Sequence, residues 1–261
     1  SQVMNGAAAY EVHGADCVVG IGGGAALDVA KVVGLMATHP GDVMEYVWDH
    51  PKIRDIVNPL PHFVAVPTTS GTGSEVGRSS VISEEATHIK RVIFSPKILA
   101  SVVFADPELT VGLPAHITAA TGMDALTHNI ESYLSPAYHP LCEDLGAVHS
   151  CAHALGTVCD MHHGLANALM IDTVMAWNLE TVPAKFDELA HVVGVANGAA
   201  FVPWLKALKQ QIGIAPNLSA VGVKGDHMAR LVEIATADIC HQTNPRPCVA
   251  ADFERLFAKA M

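Results

Sequence analysis

Basic residues are scarce in this sequence: 15 lysines and arginines stand against 26 aspartates and glutamates, for a formal net charge of −11. Nucleic acids and anionic membrane surfaces are met by a basic footprint that releases counterions or pairs with headgroups, so this balance excludes both as partners and points to a small molecule. Paired C-x-x-C spacing is missing too. The six cysteines, Cys17, Cys142, Cys151, Cys159, Cys240 and Cys248, lie apart, and a 261-residue chain, half apolar, buries enough core to stand without disulfides. Reduced thiols in the cytoplasm are the expectation. No apolar run reaches the roughly 18 uncharged residues that cross a bilayer, and residues 1–10 lack the basic start and apolar core of a signal peptide.

Along the first hundred residues, short apolar runs alternate with turns and helical stretches. Residues 15–21 read as a strand, Gly22-Gly23-Gly24 as a turn and residues 25–36 as a helix. A second strand, residues 63–67, enters the glycine-rich turn 68–75, and a third, 101–105, closes at Asp106-Pro107. Beyond Leu109 the texture is helical: residues 118–134, 148–158, 164–177 and 228–240 carry the 3.6-residue period. The expected organisation is an α/β dinucleotide-binding domain over residues 1–109, followed by an all-α domain over 110–261.

Gly20-Ile21-Gly22-Gly23-Gly24-Ala25 fits G-x-G-x-x-A. Any tight strand-to-helix turn collects glycine, but here the glycines also bring backbone N–H groups to a helix N-terminus, where a pyrophosphate is favoured. The second loop, Pro67 through Glu75, adds hydroxyl donors, so two loops are expected to grip one dinucleotide in a cleft. Lys90 offers a cation for the same ligand, although lysine is common on any surface.

Fifteen histidines are the unusual number. Asp124 and His128 are four apart on a predicted helix and so share a face, as do His149 and His153. An Asp–His pair at this spacing also occurs on solvated helices; the second cluster, completed by His162-His163-Gly164, raises the case for a metal. Imidazoles in an apolar stretch need both ring nitrogens satisfied, and a metal satisfies several at once. One carboxylate with up to three imidazoles suits Fe(II), Zn(II), Mn(II) or Co(II). Gly164 is expected to mark a sharp change of chain direction that folds His163 back toward His149.

These motifs together resemble the iron-containing, or group III, alcohol dehydrogenases. Gly22-Gly23-Gly24 with Asp28 and Lys31 is similar to the family's G-G-G-S-x-x-D-x-A-K turn, and Pro67 to Glu75 matches its P-T-T-x-G-T-G-S-E loop. Asp106 to Thr110, Thr121 to Tyr133, His149 to Asn167 and Thr243 to Pro247 resemble its other signatures. The resemblance implies a dehydroquinate synthase-like architecture, with Asp124, His128, His149 and His163 as metal ligands and His153 as a proton relay beside the nicotinamide. It implies cofactor contacts from Gly23, Gly24, Asp28, Thr68, Thr69, Thr72, Lys90 and Leu109. Ala25 stands where the family usually has serine and Gly77 where it often has threonine. The family's first strand, helix and strand would precede Ser1, so the nucleotide domain is expected to be incomplete there, and a helical stretch would fall between Ala147 and Val148.

The implied activity is hydride transfer between a small alcohol or aldehyde and NAD or NADP, with Fe(II) or Zn(II), by a cytoplasmic homodimer. A glycerol dehydrogenase-like enzyme, a maleylacetate reductase-like enzyme and a catalytically inactive metal-binding or assembly protein are the alternatives. The four-ligand set argues against a metal-free reductase.

Overall fold

The computed structural model describes residues 1–87, 89–137 and 145–261; Cys142 lies outside them. The chain divides into two compact units, Ser1–Leu113 and Pro114–Met261.

In the first unit, helix α1 (Gln2–His13) precedes strand β1 (Cys17–Gly22), helix α2 (Gly24–Met36) and strand β2 (His62–Pro67). Parallel strands cannot be joined by a hairpin, and α2 belongs to the crossover that makes β1 and β2 parallel, in the register Cys17 to His62 through Gly22 to Pro67. The short strand β5 (Val102–Val103) pairs on the far side of β2, giving the order β1-β2-β5. It is shorter than the five residues expected, because the following chain turns into a 3-10 segment at Pro107, capped by Asp106 accepting from the Glu108 N–H. Leu27 of α2 packs on Phe63 and Ala65 of β2. An antiparallel hairpin of β3 (Ser79–Ser83) and β4 (Lys90–Phe94), which periodicity did not reveal, adds Ile82 and Ile93 to a second cluster with Val32 and Leu35.

The second unit is built from α3 (Ala115–Leu134), α4 (Ala147–Cys159), α5 (His163–Leu179), α6 (Pro183–Val193), α7 (Gly198–Gln211), α8 (Met228–Ala237) and α9 (Ala250–Ala260), with no strand among its described residues. Helix α4 is buried on every side from Ala147 to Leu155, and α5 is buried along most of its length. A helix apolar all round belongs inside a domain, and any polar side chain on it must find a partner there. Helix α8 ends three residues before the expected Cys240. Asp238 is extended (φ −71°, ψ 141°), and a 3-10 turn, Cys240–Thr243, follows.

Gly164 does not make the turn expected of it. Asp160, at φ 49°, reverses the chain after α4, while Gly164 sits in the first turn of α5 against α3. A Cβ there would stand 2.3 Å from the Ala120 carbonyl oxygen, so the absent side chain lets the two backbones touch. That contact brings His163 to the level of Asp124. Among the described residues no helix is long and apolar enough to cross a membrane.

Candidate metal centre

Four side chains from three helices of the second unit converge: Asp124 and His128 from α3, His149 from α4 and His163 from α5. One donor atom from each lies within 4.8 Å of all the others. Asp124 Oδ1 is 3.5 Å from His163 Nε2, 3.8 Å from His128 Nε2 and 3.9 Å from His149 Nε2, and the last two nitrogens are 3.3 Å apart. Asp124 and His149 are buried, whereas His128 and His163 are partly open. The centre is therefore walled on one side and accessible on the other.

Burial lowers His149 to a pKa of about 4; His128 falls to about 4 through burial and the neighbouring His149. Both rings are neutral near pH 7, each with a lone pair to offer. His149 Nδ1 is 2.6 Å from Glu131 Oε2, and with Glu131 ionised that nitrogen is the donor, which leaves the Nε2 lone pair to face the cluster. Glu131 also accepts from the Gly146 N–H (2.9 Å) and, on Oε1, from the Val148 N–H (2.7 Å), so it caps α4 while orienting a ring on it. Burial pushes Glu131 up to about 7 against the pull of those N–H donors.

Asn167 of α5 tests whether the site suits a cation. Its Nδ2 donates to Asp124 Oδ1 at 2.5 Å and stands 3.2 Å from His163 Nε2 and 3.4 Å from His149 Nε2. Two amide hydrogens cannot serve a carboxylate and two imidazoles at once. Its Oδ1 is buried without a hydrogen-bond partner. Four convergent electron-pair donors around one amide fit a divalent cation bound by nitrogen and oxygen, and a cation would release Asn167 to repartner.

His153, one turn beyond His149, stands outside the four donors. Its ring stacks on His163, with centroids 5.4 Å apart and planes at 22°. Its Nδ1 is 2.7 Å from Asp238 Oδ2. His162 precedes α5 at its N-cap position and is not among the converging donors. Spacing gave no sign of Glu131, Asn167 or Asp238. Glu131 and Asn167 lie within segments that carry the resemblance, and Asp238 was read as helical.

In the first unit, the two glycine-rich loops meet. Thr68 N–H donates to Gly22 O at 2.9 Å. A Cβ on Gly23 would lie 3.3 Å from the Thr69 side chain, and one on Gly24 would lie 2.7 Å from Thr72 Oγ1. Gly22 takes φ 148°, a conformation that side-chain-bearing residues rarely adopt. No side chain caps the N-terminus of α2 at Gly23, so its first N–H groups are left to other acceptors. Asp28 is committed within the fold: Oδ1 accepts from Ser74 Oγ at 2.6 Å and Oδ2 from the Val81 N–H at 3.0 Å, with Lys31 3.5 Å away. It ties α2 to the second loop and the hairpin. Lys90 opens β4 opposite Ser83, and Leu109 lies exposed in the 3-10 turn.

The late motif is also structural. Asn244 accepts from the Ala147 N–H (3.3 Å) and from Asn178 Nδ2 (3.0 Å) and donates to Arg246 O (2.6 Å), joining the starts of α4 and the end of α5.

Residues 1–107 match the family model of iron-containing alcohol dehydrogenases, and residues 143–261 match that family's C-terminal model. The 1,3-propanediol dehydrogenase of Klebsiella pneumoniae is 33% identical over 312 residues, covering 100% of this chain and 80% of its own length. Lactaldehyde reductase of Escherichia coli is 30% identical, covering 99% and 80%. A crystal structure of 1,3-propanediol oxidoreductase superposes with a TM-score of 0.91 at 32% identity, covering 99% of this chain and 80% of that one. This chain belongs to the iron-containing alcohol dehydrogenase family, and its activity is that of an alcohol dehydrogenase or aldehyde reductase. The alignment with the Klebsiella enzyme is longer than the 261-residue chain, so that relative carries segments within the aligned region that have no counterpart here.

Proposed function

We propose that this enzyme moves hydride between a short alcohol or aldehyde and NAD, using iron(II) held by Asp124, His128, His149 and His163. The observation that carries the reading is the convergence of those four donors, from three helices, within 4.8 Å of one another. The relatives named for 1,3-propanediol and lactaldehyde support a short, oxygen-bearing substrate, and a relative named as NAD-dependent supports the dinucleotide.

When bound, the metal supplies Lewis acidity toward a substrate oxygen and the dinucleotide supplies or takes the hydride. The chain's own groups do the rest. Asp124 contributes the anionic donor, which leaves the site with net positive charge once a divalent ion is in place. His128 and His163, on the partly open side, border the space a substrate oxygen enters. His153 carries the alcohol proton to or from solvent. In the Ser1–Leu113 unit, the N-terminus of α2 at Gly23 and Gly24, with the hydroxyls of Thr68, Thr69 and Thr72, holds the pyrophosphate. Asp28 keeps that loop in place, and Lys90 and Leu109 complete the dinucleotide site.

Unpaired cysteines at 17, 151, 159, 240 and 248 support a cytoplasmic setting, and the family resemblance supports a homodimer. NADH oxidation with short aldehydes, measured with Fe(II), with Zn(II) and after chelation, tests the reading. Metal-dependent turnover is expected; undiminished turnover in a chelated protein shown free of metal would overturn it.

A further inference from the structure

The carboxylate of Asp238 is built into a network that fixes which of its oxygens meets His153. Its Oδ1 accepts two hydrogen bonds, from Ser150 Oγ at 2.8 Å and from the Cys240 N–H at 2.9 Å. The direction of the first is set from behind, because Ser150 Oγ accepts from the His241 N–H at 2.9 Å and so turns its own hydrogen toward Asp238. Ser150 is fully buried on α4, and the Cys240 N–H is delivered by the 3-10 turn Cys240–Thr243 that follows α8. With Oδ1 saturated by donors, Oδ2 is left for His153 Nδ1, 2.7 Å away. Burial raises the Asp238 carboxyl, but His153, the Cys240 N–H and the Ser150 hydroxyl outweigh it and hold the group below the usual carboxylate range. It is thus an acceptor only, and its partner nitrogen must carry hydrogen.

We infer that Asp238, oriented by Ser150 and the Cys240 N–H, is a positioning residue that fixes neutral His153 as the Nδ1–H tautomer and leaves Nε2 as its proton-accepting atom. The inference rests on the reading of His153 as proton relay. A relay with the opposite tautomer would present a hydrogen where a lone pair is needed, and it could not take the alcohol proton. The two histidines on α4 are thereby wired alike and used differently. His149 is oriented by Glu131 toward the four-donor centre, and His153 by Asp238 beside it.

The Asp238→Asn variant separates charge and tautomer from shape. Its carbonyl oxygen must take the Oδ1 place, where two donors point, so its NH2 faces His153 Nδ1 and imposes the Nε2–H tautomer. In 15N spectra of the zinc-loaded holoenzyme, the His153 signals, identified by their loss in His153→Gln, should show a protonated Nδ1 and a bare Nε2 in the parent. They should exchange character in Asp238→Asn. The variant should keep its metal and a KM within about twofold, while kcat falls on the order of 10²-fold. Ser150→Ala, which removes one of the two donors, should fall between, and it serves if Asp238→Asn does not fold. A bare Nδ1 in the parent, or an unchanged tautomer in Asp238→Asn, overturns the inference. Full turnover of His153→Gln, with the tautomer reversed in Asp238→Asn, would instead overturn the relay reading while upholding Asp238 as the tautomer anchor.

Discussion

Replacing Glu131 by glutamine keeps the size of the side chain and removes one acceptor, and the structure says what that must cost. The carboxylate receives three donors: Val148 N–H on Oε1, and Gly146 N–H with His149 Nδ1 on Oε2. Glutamine offers one oxygen. If that oxygen takes the Oε2 place, the amide NH2 confronts the Val148 N–H and leaves a buried donor unpaired at the start of α4, costing about 1–3 kcal/mol. If it takes the Oε1 place, the NH2 confronts Gly146 and donates to His149 Nδ1, so that His149 must carry its hydrogen on Nε2, where it cannot bind a metal. The first arrangement weakens the fold and the second weakens the site. Loss of a hydrogen bond that orients a metal-binding imidazole typically lowers affinity about 10–100-fold, or about 1.4–2.8 kcal/mol. Because glutamine in either arrangement also removes the negative charge that faces the His149 ring, Glu131→Gln should lose about tenfold or more in metal affinity and also melt earlier when metal-free. Competition against a chelator of known affinity reads the first quantity, and thermal denaturation of the metal-free protein reads the second. Unchanged metal Kd together with an unchanged Tm would refute the reasoning.

Other consequences are as direct. His128→Ala should abolish metal content and turnover together, whereas His153→Gln should retain the metal and lose turnover; metal analysis beside kinetics distinguishes them, and the reverse pattern would overturn the ligand assignment. Gly164→Ala places a methyl group 2.3 Å from the Ala120 carbonyl oxygen, so α5 must move away from α3. A loss of about 1–3 kcal/mol in unfolding free energy is expected, with weakened metal binding because His163 moves with the helix. Gly23→Asp puts a negative charge at the α2 N-terminus and toward Thr69, and NADH binding measured by fluorescence titration should fall at least tenfold while metal content stays. Adding metal to the metal-free protein should raise Tm in proportion to the logarithm of free metal concentration, as binding to the folded state alone requires.

Much of the site was legible before folding because it is written in local spacing. Asp124 with His128, and His149 with His153, are four apart, and a helix puts such pairs on one face whatever surrounds it. The strand–glycine–helix order at residues 17–36 was legible for a similar reason: apolar alternation, a turn that needs glycine at φ 148°, then helical period are all short-range signals. The helical second unit followed from period alone, although the end of α8 was misplaced, because Asp238 leaves the helix after Ala237 to find partners on α4 and to accept from the Cys240 N–H two residues on.

What only the tertiary structure decided is which partner each polar group takes. His149 and His153 are equivalent by spacing. One faces the four-donor centre because Glu131, 18 residues earlier, holds its far nitrogen; the other is turned by Asp238, 85 residues later. Asp28 reads in sequence as a ligand-facing acid in a nucleotide turn, and the fold adds what sequence did not show: its oxygens accept from Ser74 and Val81, more than 45 residues away. Gly164 looked like a turn and is a point of helix contact instead. Periodicity determines which residues share a face, since that depends on backbone geometry within a few residues. Hydrogen-bond partners and close helix approach depend on which distant segments the apolar core draws together, and no window of sequence contains that information.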